Sequence, residues 1–241
     1  MLSAMYRELI PLVQVGTQTI EIDRWVQNWI KKAGGYPAFL GVEGTSDIPY
    51  PAAVCISINN EVIHGIPSKR KIASGDLVSL DCGIILDGYI SDQAVTLELG
   101  KVNPRASKLS AVTRECLYAG IAAAKAGERL LSIARAVNSH ATANGYGVVH
   151  QFCGHGVGLA LHEEPRVTNI PKGPNPKLRG GMVIAIEPMI NAGTGDVFTL
   201  EDGWTVVTAD DRLSAHWEHT IAIYPDHTEM LTEPVCGEDM A

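Results

Sequence analysis

No cysteine pair in this chain has C-x-x-C spacing, and the five cysteines, Cys55, Cys82, Cys116, Cys153 and Cys236, are odd in number. That pattern reads as reduced thiols of a cytoplasmic protein and excludes a disulfide framework. No apolar run is long enough to span a bilayer; the stretch Gly181–Ile190 is interrupted by Glu187 and Pro188. Met1 to Ile10 lacks the basic flank and long apolar core of a signal peptide. There is no basic excess either. The net charge of −8 argues against nonspecific grip on nucleic acid or an anionic membrane. No low-complexity or Pro/Ser-rich linker divides the 241 residues, of which 46% are apolar and 19% charged, as in an ordinary globular chain.

What is present is a series of short periodic segments. Ile22, Trp25, Val26, Trp29 and Ile30 recur at helical spacing, with Thr17 as the expected cap and Gly34–Gly35 as the stop. A second helix is expected after Asn103–Pro104, with Leu109, Val112, Cys116, Leu117 and Ile121 on one face. A third carries Leu130, Ile133, Ala134 and Val137 and ends at Gly145. Leu77–Leu86 and Tyr89–Leu97 read as strands joined by the hairpin turn Asp87–Gly88. Met182–Ile190, Trp204–Thr208 and Leu213–Ile223 are also strand-like. Helices segregated against mostly antiparallel strands give an α+β class.

One internal echo stands out. Gly75-Asp-Leu-Val-Ser-Leu-Asp81 and Gly181-Met-Val-Ile-Ala-Ile-Glu187 each place a carboxylate six positions after a glycine, at the end of an apolar strand. Each is followed by a second strand with its own carboxylate, Asp92 or Glu218. The expectation is one domain, 1–241, of two similar halves, about 1–104 and 105–241. In the hairpin, Leu86 should pair with Tyr89 and Gly83 with Asp92. Asp81 and Asp92 are then diagonal neighbours on one face, roughly 7–8 Å apart at the backbone and within reach of a shared ion. Taken alone, the hairpin fits a solvent-facing edge with protective aspartates equally well. Four carboxylates in repeated positions, with imidazoles at His155 and His162 in a glycine-rich, acid-flanked stretch, favour a metal site. His140, His150 and His227 read as ordinary core or surface histidines.

The ordered set His64-Gly-Ile-Pro, Asp81-Cys-Gly, Asp92 before Ala-Val-Thr, Cys-Gly-His155-Gly-Val-Gly, His162-Glu-Glu-Pro, Ala-Ile-Glu187-Pro-Met and Glu218-His-Thr resembles the methionine aminopeptidases, over about Val15 to Thr232. The resemblance implies the pita-bread fold, a pseudo-twofold α+β domain with a curved, mostly antiparallel sheet covered by helices. It implies two divalent metal ions (Co, Mn, Fe(II) or Zn) on Asp81, Asp92, His155, Glu187 and Glu218. It implies hydrolysis of the first peptide bond, with Glu187 carrying a proton, His162 stabilising the tetrahedral intermediate and His64 contacting substrate. Cys55 and Trp204 match the family's methionine pocket; Phe39, Tyr50 and Leu161 are further candidates for it, with plain core packing the other reading of Phe39 and Leu161. The short loop Pro165 to Arg179 matches the type I form. Expected partners are peptides and nascent chains beginning with Met, met by a cytoplasmic monomer. Lys69-Arg70-Lys71 reads either as a solvated turn or as a ribosome contact. Two departures from the family pattern concern the segment Met1–Gln14, which lacks the usual Met-Arg-x-Ala-Gly motif, and a longer loop at Gly41–Pro51.

Overall fold

Helical periodicity and capping account for three of the four α-helices among the described residues. In the computed structural model, which describes residues 1–44 and 48–235, helix α1 spans Leu2–Leu9 and α2 spans Thr19–Lys32. Helices α3 and α4 span Pro104–Ala123 and Leu131–Ala143. The cap of α2 is Gln18 rather than Thr17: Gln18 and Glu21 form a reciprocal capping box that satisfies two orphan N–H groups. At α3 the expected cap holds, as the Asn103 side chain accepts from the Arg105 N–H at 2.9 Å. Helix α1 has no cap signature in the sequence. It forms because Leu2, Met5, Tyr6 and Leu9 supply an apolar stripe that the sheet buries. Thr45, Ser46 and Asp47 of the long loop, and Cys236, lie outside the described residues. The other four cysteines are free thiols.

Among the described residues the main sheet has nine strands, all in antiparallel pairs. The hairpin of Leu77–Leu86 and Tyr89–Glu98 forms in the expected register, with Leu86 opposite Tyr89 and Gly83 opposite Asp92. Asp87 and Gly88 both take positive φ, as a two-residue turn of this type requires. Tyr89–Glu98 then pairs with Glu218–Ile223, which pairs with Val183–Ile186, which pairs with Gly154–Gly156. Cys55–Ile58 flanks the hairpin's other strand. Two expected strands are broken. Met182–Ile190 is interrupted at Glu187–Pro188, where proline lacks a ladder donor, and its second part, Met189–Asn191, joins a small sheet. Leu213–Ile223 is split at Trp217, its first part, Ser214–His216, pairing with Met189–Asn191 in that small sheet. Trp204 falls just before its strand, Val206–Thr208, because Asp202 turns the chain by accepting the Trp204 and Thr205 N–H groups.

Side-chain alternation divides the hairpin into two faces. Leu80, Cys82, Ile84 and Val95 join α1, α2 and Ile184, Ile186 and Ile221 in the largest apolar cluster. Each fully buried Leu or Ile there contributes about 1.5–3 kcal/mol. Asp81, Gly83, Asp92 and Ala94 turn to the opposite face. A second cluster packs α3 on α4 and on Ile190 and Ala215. No helix among the described residues is long and apolar enough to cross a membrane.

Gly154 sets how closely two strands of the site approach. A Cβ at this position would lie 2.2 Å from the Ala185 carbonyl oxygen, a clash with backbone that no rotamer relieves. Gly154→Ala is therefore expected to cost about 1–3 kcal/mol by forcing strand displacement, read as a lower urea midpoint, and to move His155 with it. Asn103→Ala removes a helix cap far from the cavity; it should cost about 1 kcal/mol and leave the chemistry unchanged, read by the same denaturation and by a peptide-cleavage assay.

Candidate active site

Sheet register brings the predicted carboxylates together. Asp81 and Glu218 both pair with Ala94, one from each side. A row across three strands therefore runs Asp81, Ala94, Glu218, with only a methyl group between the two acids. Asp92 lies two residues from Ala94 on the same face. His219, next to Glu218, pairs with Ile186, which precedes Glu187. Gly156, next to His155, pairs with Ile184 of that strand. Five side chains far apart in sequence thus line one cavity of about 520 Å³.

Ligand atoms of Asp92, His155 and Glu218 lie within 4.8 Å of one another. The His155 Nε2 is 3.5 Å from the Glu187 Oε1 and 3.9 Å from the Asp92 Oδ2. Its Nδ1 lies 2.9 Å from the Gly156 carbonyl oxygen. In the neutral ring Nδ1–H donates to that carbonyl, so Nε2 turns its lone pair toward the carboxylates. Burial holds His155 neutral, its pKa lowered to about 4. The acids are pushed the other way. Burial first, then the Asp92 charge, raises Asp81 well above the usual range; burial raises Asp92 to about 7. Glu187 and Glu218 are raised for the same reasons, burial before neighbouring carboxylates.

Two like charges about 4 Å apart repel by about 4 kcal/mol at an effective dielectric of 20. Among the described residues no Lys or Arg lines the cavity to offset this. The buried Asp81 Oδ1, Asp92 Oδ1 and Glu218 Oε1 have no hydrogen-bond partner among the described residues. Converging acceptors without donors, beside one imidazole lone pair, match the ligand preferences of a divalent transition metal ion.

The rest of the cavity is largely apolar. Phe39, Tyr50 and Cys55 form a buried cluster, with Leu161 and Trp204 packed on it. Cys55 pairs directly with Asp81, which sets this cluster beside the acids. Burial, then the Asp81 charge, raises the Cys55 thiol, which keeps it an apolar wall. The Tyr50 and Trp204 rings meet edge to face at 5.1 Å, and the indole N–H donates to the Ile48 carbonyl at 2.8 Å. His64 stands between Phe152 and Trp204, at 5.7 and 6.0 Å, on a backbone of φ 59. Its pKa is lowered to about 4 by burial. His162 is exposed at the mouth, its ring 4.5 Å from that of His155. All twelve predicted site residues line this one cavity.

Sequence reading missed Phe152, Ile63 and Val206 in the wall. It also missed Asn169, whose Nδ2 donates to the Glu187 carbonyl at 3.0 Å, and buried His216, whose Nε2 is 3.9 Å from the Glu187 Oε2. Only Phe152 carried a signal, its place beside Cys-Gly-His155. Two of the histidines set aside are elsewhere: half-buried His140 pairs with Glu115 and exposed His227 with Asp226.

Similarity to known proteins agrees with this geometry. The model of metallopeptidase family M24 matches residues 1–225. A methionine aminopeptidase of Treponema pallidum is 54% identical over 235 residues, 97% of this chain and 90% of that protein. One from Clostridium perfringens is 47% identical over 91% of this chain and 87% of its own length. The crystal structure of the Thermotoga maritima methionine aminopeptidase, 38% identical, superimposes with a TM-score of 0.91 over 96% of this chain and 92% of that one. With a matching family model over most of its length, close relatives and a shared pita-bread fold, the chain belongs to the methionine aminopeptidases of metallopeptidase family M24.

Proposed function

We propose that this protein is a type I enzyme that removes the initiator methionine from nascent proteins and peptides by hydrolysing the first peptide bond, with a small second residue preferred. The single observation that carries the reading is the cavity itself: a cluster of four acids and one lone-pair imidazole opening directly onto an apolar pocket lined by Cys55, Tyr50 and Trp204. The family is metal-dependent. Our reading assigns two divalent ions, from among manganese, iron, cobalt and zinc, to Asp81, Asp92, His155, Glu187 and Glu218. Bound there, they would supply Lewis acidity and bring the pKa of water near neutrality.

The chain's own residues divide the remaining work. The apolar pocket takes the unbranched thioether side chain, for which its buried aromatic edges and the protonated Cys55 thiol are suitable partners. The acids hold negative charge where the free α-amine of a peptide must sit. Glu187, whose carboxylate lies in the cavity and whose proton affinity burial raises, can take up a proton and return it to the leaving amine. His64 and His162 approach from the pocket side and the mouth, where an N–H from either ring stabilises charge developing on the scissile carbonyl oxygen. Neutral rings suit that role because they donate without adding repulsion among themselves.

One catalytic domain of two related halves, about 1–104 and 105–241, is supported by the placement of both Gly-to-carboxylate strands in one sheet, each antiparallel to a strand bearing a second acid. Action in the cytoplasm on chains leaving the ribosome follows from the same reading. Of the basic run, Arg70 is engaged with Glu61 at 2.8 Å, while Lys69 and Lys71 are exposed.

Metal-dependent release of methionine from Met-Ala peptides is the expected result with at least one of the four metals, and Asp92→Ala should bring release to background. Failure of folded protein with every metal overturns the reading. His162→Ala should keep metal affinity, measured by calorimetry, and lose about 100-fold in kcat.

Stability should depend on pH and metal in a defined window. Buried His64, His155 and His216 are lowered to about 4, 4 and 3, so they favour the fold as pH rises and are neutral in both states above about 6.5. The raised acids act oppositely: unfolded they ionise near pH 4, folded only at higher pH. Above about pH 6.5 the acids alone remain, and the metal-free fold loses stability as pH rises through about 7. Melting temperature of metal-free protein should fall between pH 6.5 and 8, and saturating metal should remove most of that fall.

A further inference from the structure

Behind the two aspartates, on the face of the hairpin away from the cavity, lies α1. Its Tyr6 is fully buried, and its hydroxyl is 2.8 Å from the Gln93 carbonyl oxygen and 3.1 Å from that of Leu80. Gln93 follows Asp92, and Leu80 precedes Asp81. The two carbonyls belong to opposite strands and bracket the Asp81–Ala94 pair. One phenol therefore bridges both strands at the point where two buried carboxylates push apart. The hydroxyl stays a donor, because burial raises its pKa well above the usual tyrosine value.

A second set of bonds from the same helix reaches the Glu218 strand. Ser3 donates to the Gln93 side-chain oxygen at 3.3 Å and accepts the Glu233 N–H at 2.8 Å. The Gln93 amide donates to the Glu233 carbonyl. Neighbouring Thr232 accepts the Thr220 N–H and bonds the His219 ring. Thr220, in turn, donates its hydroxyl to the Asp92 carbonyl at 2.7 Å and accepts the Asp92 N–H at 3.2 Å.

We propose that Tyr6 is a positioning residue for the metal centre: by bridging the Leu80 and Gln93 carbonyls it sets the separation of Asp81 and Asp92 and so the strength with which they hold their ions. The inference rests on the metal-centre reading above. An apolar residue of similar size would keep the core of α1 filled but leave the strands free to part under the repulsion of the acids. Every described residue that bonds this hydroxyl is a backbone carbonyl of the hairpin, so deletion of the oxygen acts on the hairpin alone.

The test compares Tyr6→Phe, which removes the oxygen, with Leu9→Val, which loosens the packing of the same helix without touching those carbonyls. Cobalt(II) affinity is measured by calorimetry, and the visible spectrum of the cobalt form is recorded. Tyr6→Phe should weaken cobalt binding about fivefold and alter the ligand-field bands, while Leu9→Val lowers the melting temperature and leaves both unchanged. Should Tyr6→Phe fold only with metal, the rise of melting temperature with cobalt concentration gives the same dissociation constant. A Tyr6→Phe protein with the parent's affinity and spectrum, or a Leu9→Val protein with the same loss of affinity, overturns the inference. A parent protein that binds no cobalt overturns the metal-centre reading instead.

Discussion

Mutual repulsion among four carboxylates in one cavity is the constraint to which the structure answers. Each of Asp81, Asp92, Glu187 and Glu218 loses hydration on folding, and no Lys or Arg among the described residues lines the cavity to restore the balance. The sheet tolerates them because strand pairing, together with the Tyr6 hydrogen bonds to the Leu80 and Gln93 carbonyls, holds the backbones that carry them. The apolar cluster formed with α1 and α2 provides the stabilisation that offsets this cost. Bound divalent cations would turn this buried cluster of acids into a cross-strand anchor, which would couple metal binding to folding.

Much of this was legible in the sequence because the informative signals are local. The Asp87–Gly88 turn determines the hairpin register, and the register determines that Asp81 and Asp92 share a face. The capping residue of α3 and the stops of α2 and α4 are local as well. Motif order extended that reading from one hairpin to a cavity, since all twelve expected residues line it.

What was missed depends on contacts between distant segments. Helix α1 has no cap, and its register is set by burial against the hairpin more than 70 residues away. The breaks at Glu187–Pro188 and Trp217 arise where strands leave the main sheet for a smaller one, a choice of partner that apolar runs do not encode. His216 and Asn169 reach Glu187 only because the chain folds back on it, and neither sits in a motif.

The placement of Ala94 between Asp81 and Glu218 has an evolutionary consequence. The acids are carried by strands whose partners lock one another, so the place of each acid is set by the whole sheet. Part of the wall behaves differently: Phe39, His162 and Trp204 sit in connecting segments whose length can change without disturbing the ladder. A lineage descending from such an ancestor is free to exchange the side chain it selects while inheriting the reaction unchanged. Divergence of specificity over constant chemistry is thus built into the division between sheet and loop.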